Sequence, residues 1–458
     1  MQIDHVISPS SSIVSPASPT DRFFRRVPKS DSDEDEILAV EPVQDNAAAT
    51  PDDENQQTVD NSVLPFSDGL EARLFMHFVQ KLATWLDLCD PAQSFERIVP
   101  ARAQSGNCPI LLNAILALSA RHMSHISNCD YPQSLALQYS QKCFDDLNRI
   151  LDQPGAILDE NLFAAAIILR VLEEMDVKDT GRDLRTHLIG IKRFVEARVE
   201  SLVPGFVPGS LSAASFWVGL RQEIYSAVMT SQAVHISLLH SLVDRSLKQA
   251  DDYTWANRAV VHCADVLNFC FGEKSEVGAK RRTEEWVELN RRSKQWIDGL
   301  PPSFRPIFDG KGNGAFPHIC YWRSCHVIGM QHHLLAELFL VHYDPRPLVN
   351  EPDRQLAVSQ ELTHGSQRRA EWLTGQLQNH IQELVRRVCG IGLSNEWTPP
   401  SMFTACMVIA AFGDLFHDRQ DQEAMIEILK KTEKDHLRPT EEVQKKMRVT
   451  WGWPQHNR

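Results

Sequence analysis

NLFAAAIILRVLEEM, residues 161–175, is apolar on nearly every side from Leu162 to Leu169 before Arg170, Glu173 and Glu174 enter. A segment hydrophobic all round is a helix covered on several faces, so this one is expected at the centre of a helical domain. Arg170 and Glu174 stand four residues apart, on one face of such a helix, where they can pair. Charges emerging from so apolar a run are normally paired for burial. An ion pair that sets helix packing is therefore the expected role, and an acidic rim of a ligand pocket is the sharper alternative.

Neighbouring stretches carry the same period. In LRTHLIGIKRFV (184–195), Leu184, Leu188, Ile191 and Val195 recur at helical spacing,. So do Leu111, Ile115, Leu118 and His122, and again Ala213, Trp217, Leu220 and Ile224. Phe216, Trp217 and Tyr225 supply large core area, each worth roughly 1.5–3 kcal/mol or more when buried. Arg221-Gln222-Glu223 are placed to bridge helices by hydrogen bonds, and Gly190 inside a helical pattern points to a close helix contact. Alternating β-branched runs bounded by hairpin turns are missing. The fold class is all-α, a multi-helix domain over 66–458. Its candidate structural or regulatory core residues are Arg170, Glu174, Trp217 and Arg221.

Three stretches interrupt the helices. GEKSEVGAKRR (272–282) is a charged, glycine-containing break, and a polar stretch at 349–370 follows a helix ending near Val341. LPPSFRPIFDGKGNGAFPH (300–318) is too rich in proline and glycine to be helical. Its Leu300, Phe304, Ile307, Phe308 and Phe316 predict a loop that packs back on the domain.

Residues 1–65 read as a disordered, acidic, Ser/Pro-rich tail, with too few apolar side chains to offset the entropy of ordering. The tail holds 13 acidic and 4 basic residues, whereas 66–458 holds 47 and 43. SDSDEDE (30–36) makes Ser30 and Ser32 candidate phosphorylation sites, and Ser/Thr-Pro steps at Ser8, Ser15, Ser18 and Thr50 suit a proline-directed kinase. An unmodified solubilising tail explains the same residues. RFFRRVPK (22–29) has the look of a short import signal, and DEDEILAVEPV (33–43) that of an amphipathic activation segment. A near-neutral helical region offers no basic field for a phosphate backbone. No run of about 18 apolar residues is present, so no membrane span is expected. The N-terminus lacks the basic start and apolar core of a secretory signal. Ten scattered cysteines fit a reducing compartment,.

Catalytic and metal chemistry find little purchase. No two cysteines stand in a Cys-x-x-Cys pair, and Cys263 beside Val266 and Leu267 reads as a buried filler. His122 and His125, His235 and His240, and His332 and His333 lack convergent carboxylates or thiolates. Asp145-Asp146 and Asp251-Asp252 have no third carboxylate one turn on, so they read as capping or solvent-facing groups and not as magnesium ligands. Neither a phosphate loop nor a nucleophile elbow occurs.

Eight pieces in order carry a resemblance: CPILLNAILALSARHMSH (108–125), LFAAAIILRVLEEMD (162–176), HLIGIKRFV (187–195), ASFWVGLRQEIYSAV (214–228), TWANRAVVHCADVLNFCFG (254–272), WIDGLPPSFRPIF (296–308), VRRVCGIGLSN (385–395) and WGWP (451–454). Together, over about 66–458, they resemble the fungal-specific transcription factor domain, the regulatory region found downstream of a fungal zinc cluster. The resemblance implies a nuclear, non-enzymatic regulator of a metabolic or secondary-metabolite pathway. It also implies homo- or heterodimerisation and response to a small-molecule effector. The family's zinc cluster is not among these residues, and with it no cofactor. Contact with DNA is accordingly expected through a DNA-binding partner or a cluster outside this sequence, and the other partners are the transcription machinery. An all-α enzyme and a cytoplasmic interaction scaffold remain the alternatives.

Overall fold

The computed structural model describes residues 66–454 apart from 107, 127–133, 151–154, 178–182, 184, 202–205, 273–277, 313 and 347–362. The acidic tail, with Ser30 and Ser32, lies outside the described residues, as does Leu184. Fourteen α-helices are described: α1 (Gly69–His77), α2 (Ser94–Gln104), α3 (Pro109–Ile126), α4 (Ser134–Ile150), α5 (Glu160–Met175), α6 (Thr186–Glu200) and α7 (Leu211–Thr230) come first. After them follow α8 (Asp252–Phe271), α9 (Ala279–Asp298), α10 (Ser324–His342), α11 (Thr363–Ser394), α12 (Pro400–Phe412), α13 (Arg419–His436) and α14 (Glu441–Thr450). The domain is all-α.

Asp159 starts α5 by accepting the backbone N–H groups of Asn161 and Leu162, which satisfies donors that have no partner inside the helix,. Helices α3, α6 and α7 all pack against α5. That is why every residue from Leu162 to Arg170 is buried, and why the segment needs no polar face. Helix α7 opens on Ser210, whose hydroxyl accepts from Ala213 N–H, and closes on Ser231 in the left-handed region at φ 52°. At Gly219 an added Cβ would sit 2.9 Å from Ile191 Cγ2 and 3.3 Å from Ile167 Cδ1. A glycine there lets α7 press against α5 and α6 at close range. Gly190 is buried within α6.

The second half is built on α8 and α10, which pack along each other and meet α9. Gly329 on α10 stands where a Cβ would meet the Ala256 backbone at 3.1 Å. Helices α11 and α12 pack on α10, and α12 also reaches α7, joining the two halves.

The predicted helical faces are buried as expected at Leu111, Ile115, Leu118, His122, Leu188, Ile191, Val195, Leu220 and Ile224. Trp217 is only half-buried, its ring edge-on to Phe216 at 5.0 Å. The loop 300–318 departs from expectation in two ways. Two short strands, β1 (Phe308–Gly310) and β2 (His318–Cys320), pair antiparallel within it, with Asp309 opposite Ile319. Phe304 and Phe316 pack inward, but Ile307 and Phe308 are 67% and 51% exposed. The ribbon lies at the surface and leaves both exposed, which apolar composition alone does not show. Both expected breaks are also shorter than their polarity suggests, since α9 already begins at Ala279 and α11 at Thr363.

Candidate functional site

Arg170 is the largest fully buried side chain among the described residues. Asp183 grips it with both oxygens, at 2.6 and 2.7 Å, and Glu173 accepts from Nη1 at 2.9 Å. Glu174, the i+4 residue, lies 3.1 Å from Nη2. Burial alone would lower the guanidinium; Glu174, Asp183 and Glu173 outweigh it and hold Arg170 above its usual range. Burial likewise opposes ionisation of Asp183, but Arg170 prevails and keeps that carboxyl below its ordinary value. Glu173 has a second task. Its oxygens accept the N–H groups of Thr186 and His187, capping the start of α6 from the end of α5,.

Glu174 also pairs with Arg438, from the turn between α13 and α14. Arg438 lies over the Tyr225 ring at 3.8 Å and the Phe403 ring at 4.7 Å. Burial works against its charge, and Glu174 more than offsets it. A single carboxylate on α5 thus holds two buried arginines, one local and one 264 residues away in sequence.

Beside this network lies a cavity of about 80 Å³. Trp85, Leu86 and Leu88 form one wall; Val171 and Glu174 of α5 and Val218, Arg221, Gln222 and Tyr225 of α7 form another. The α7 positions follow helical spacing, so one stripe of that helix faces the space. Ile328 and His332 of α10, Phe403, Thr404 and Met407 of α12, and Arg438 complete it. The walls are mostly apolar. His332 donates from Nδ1 to Ile328 O at 2.8 Å, and burial lowers it to about 4, so the ring is neutral. Arg221 donates from Nη2 to Leu86 O at 2.8 Å. Its Nη1 has no hydrogen-bond partner among the described residues, and burial lowers the guanidinium from its ordinary value.

The structure therefore brings Arg170, Glu174 and Arg221 to one region and leaves Trp217 off the cavity wall. Glu174 pairs two arginines and also lines the space. Arg438, Tyr225, His332 and Phe403 were not singled out as site residues by sequence; nothing in local periodicity marks them, since they meet only across the fold.

Other candidates resolve into structure. His122 Nδ1 lies 2.9 Å from His77 Nε2, and burial lowers His122 to about 3. His333 stacks on Trp296 at 4.7 Å. Among the described residues no group of three or more His, Cys, Asp or Glu is arranged to hold a metal ion. Cys263 is fully buried, as a filler should be. Asp251 caps α8 by accepting from Thr254 N–H. Asp252 is not solvent-facing: its oxygens take Ser303 Oγ at 2.6 Å and His326 Nε2 at 2.9 Å. Here the carboxylate sits between serine and histidine, whereas a nucleophilic triad needs the histidine between the other two. The trio staples the 300–304 turn to α8 and α10. No described helix is long and apolar enough to cross a membrane.

Residues 73–241 match the family model described as the fungal specific transcription factor domain. That family is one of transcription regulators and not of enzymes, and the match spans under half of the chain. The match takes in four of the eight resembling pieces, those from 108 to 228; the pieces from 254 onward lie beyond it. It contains the cavity walls from Trp85 to Tyr225, while Ile328, His332, Phe403 and Arg438 come from outside it. Neither the curated proteins nor the solved structures yield a match.

Proposed function

We propose that this protein is a nuclear regulator of transcription for a fungal metabolic or secondary-metabolite pathway. Its helical domain is the responsive element and has no catalytic role. The observation that carries the reading is the match of residues 73–241 to the fungal specific transcription factor domain. The near-neutral charge of 66–458 favours DNA contact through a DNA-binding partner, or through a zinc cluster outside this sequence, over contact by the helices themselves,. A small effector seated among the helices, or a dimer partner, would set the activity, and the acidic tail would recruit the transcription machinery.

The test joins the full chain to a heterologous DNA-binding domain in a fungal host carrying a matching reporter, with a fluorescent tag for location. Nuclear accumulation and a change in reporter output in either direction are expected. A tagged protein that stays in the cytoplasm and leaves the reporter untouched would instead favour an interaction scaffold.

A further inference from the structure

We infer that the cavity between α5, α7, α10 and α12 is a ligand site for a small organic carboxylate, its apolar body against Val218, Ile328, Phe403 and Met407 and its carboxylate on Arg221. The inference deepens the regulatory reading by naming the chemistry of the effector, and as a statement about binding it stands or falls separately.

Three observations meet here. The first is size: at about 80 Å³, the space exceeds that of one water, whose share of the liquid is about 30 Å³. Second, the walls are dominated by aromatic and aliphatic side chains, and a buried water needs two to four polar partners to be held well. Such walls favour an organic body over a chain of waters. The third is charge. Two arginines line the cavity, and they differ. Arg438 is matched by Glu174, which Arg170 shares. Arg221 has no carboxylate partner among the described residues; its one hydrogen bond goes to a carbonyl, and Nη1 is left over. The two aspartates that act on it electrostatically, Asp87 and Asp90, are committed elsewhere: Asp87 accepts the N–H groups of Phe95 and Glu96, and Asp90 those of Ala92 and Ser94. A buried guanidinium without an anion carries an unmet desolvation cost, which a ligand carboxylate would offset. Glu174, which lines the same space, is already paired with Arg170 and Arg438.

The experiment titrates the purified full chain with a graded series of saturated carboxylates, acetate to hexanoate, each beside its primary amide, by calorimetry and thermal shift. At least one acid should bind about tenfold or more tightly than its amide, because only the acid offers Arg221 a charged acceptor. Arg221→Met, which keeps the stem and removes the charge, should weaken that acid about tenfold or more, with Arg221→Lys intermediate. Val218→Phe fills the space and should abolish binding with the guanidinium left in place. Equal affinity for acid and amide, no binding across the series, or full affinity in Arg221→Met would each overturn the assignment. The acid–amide comparison uses the unaltered protein, so it decides even if a variant fails to fold. Binding without any reporter response in the tethered assay would refute the regulatory reading and leave the site intact.

Discussion

Replacing Glu174 by glutamine removes the one negative charge that lies between two buried guanidiniums. Arg170 keeps Asp183 and Glu173 after the change, so its charge stays matched. Among the described residues Arg438 keeps no carboxylate in ion-pair contact, and it is only 5% exposed. The cost therefore falls on Arg438, and stranding a buried charge in this way is worth about 3–5 kcal/mol. At about 2 °C per kcal/mol for a chain of this size, the melting midpoint should drop by roughly 6–10 °C. Arg438→Met behaves differently, because Glu174 remains paired with Arg170. What is lost is the cation's contact with the Tyr225 and Phe403 rings, about 1–2 kcal/mol. The double variant then contains no stranded cation and should be more stable than Glu174→Gln alone. Scanning calorimetry on the four proteins completes the cycle. A loss below about 1 kcal/mol for Glu174→Gln, or strict additivity in the double variant, would show that the network does not carry the energy assigned to it.

Acid should destabilise the domain below about pH 6.5 through its buried histidines, with Asp87, pushed up to about 7 by burial, opposing them as a single group,. His122 and His333 are lowered to about 3, and His262 and His332 to about 4, all by burial first. These folded values lie below the ordinary 6.5, so the unfolded chain binds more protons between them,. Stability is full above about 6.5 and falls as pH drops toward 4, by up to about 1.4 kcal/mol per unit for each ring. Melting midpoints taken from pH 7.5 to 5 should decline steeply below 6.5, and a flat profile would contradict neutral buried rings. Gly219→Ala should destabilise by about 1–2 kcal/mol, since Ile191 Cγ2 blocks the new methyl at 2.9 Å and overpacking outweighs the gain in helix propensity,. A raised midpoint would mean that α6 yields easily there.

The central place of 161–175 was legible because its apolar residues leave no face for water. The Arg170–Glu174 pair followed from i, i+4 spacing, and the helical character of the domain from its 3.6-residue period. Such properties depend on residues within a turn or two of one another. Polarity misjudged the edges, at Ala279 and Thr363, because a charged stretch can still be helical when one side packs. It also missed that Ile307 and Phe308 are exposed, since where a short ribbon lies on the domain is set by tertiary packing. Glu173 capping α6 lay beyond reach for a related reason: a cap supplied from another helix leaves no local signature. The same holds for the cavity, whose walls run from Trp85 to Arg438. Sequence alone therefore established a helical domain with charges that must be paired. Only the tertiary structure decided that Glu174 spans to Arg438 while Arg221 is left, among the described residues, without a paired anion beside an apolar space. Charge pairing across hundreds of residues depends on which helices come to lie together, and helical periodicity carries no record of that.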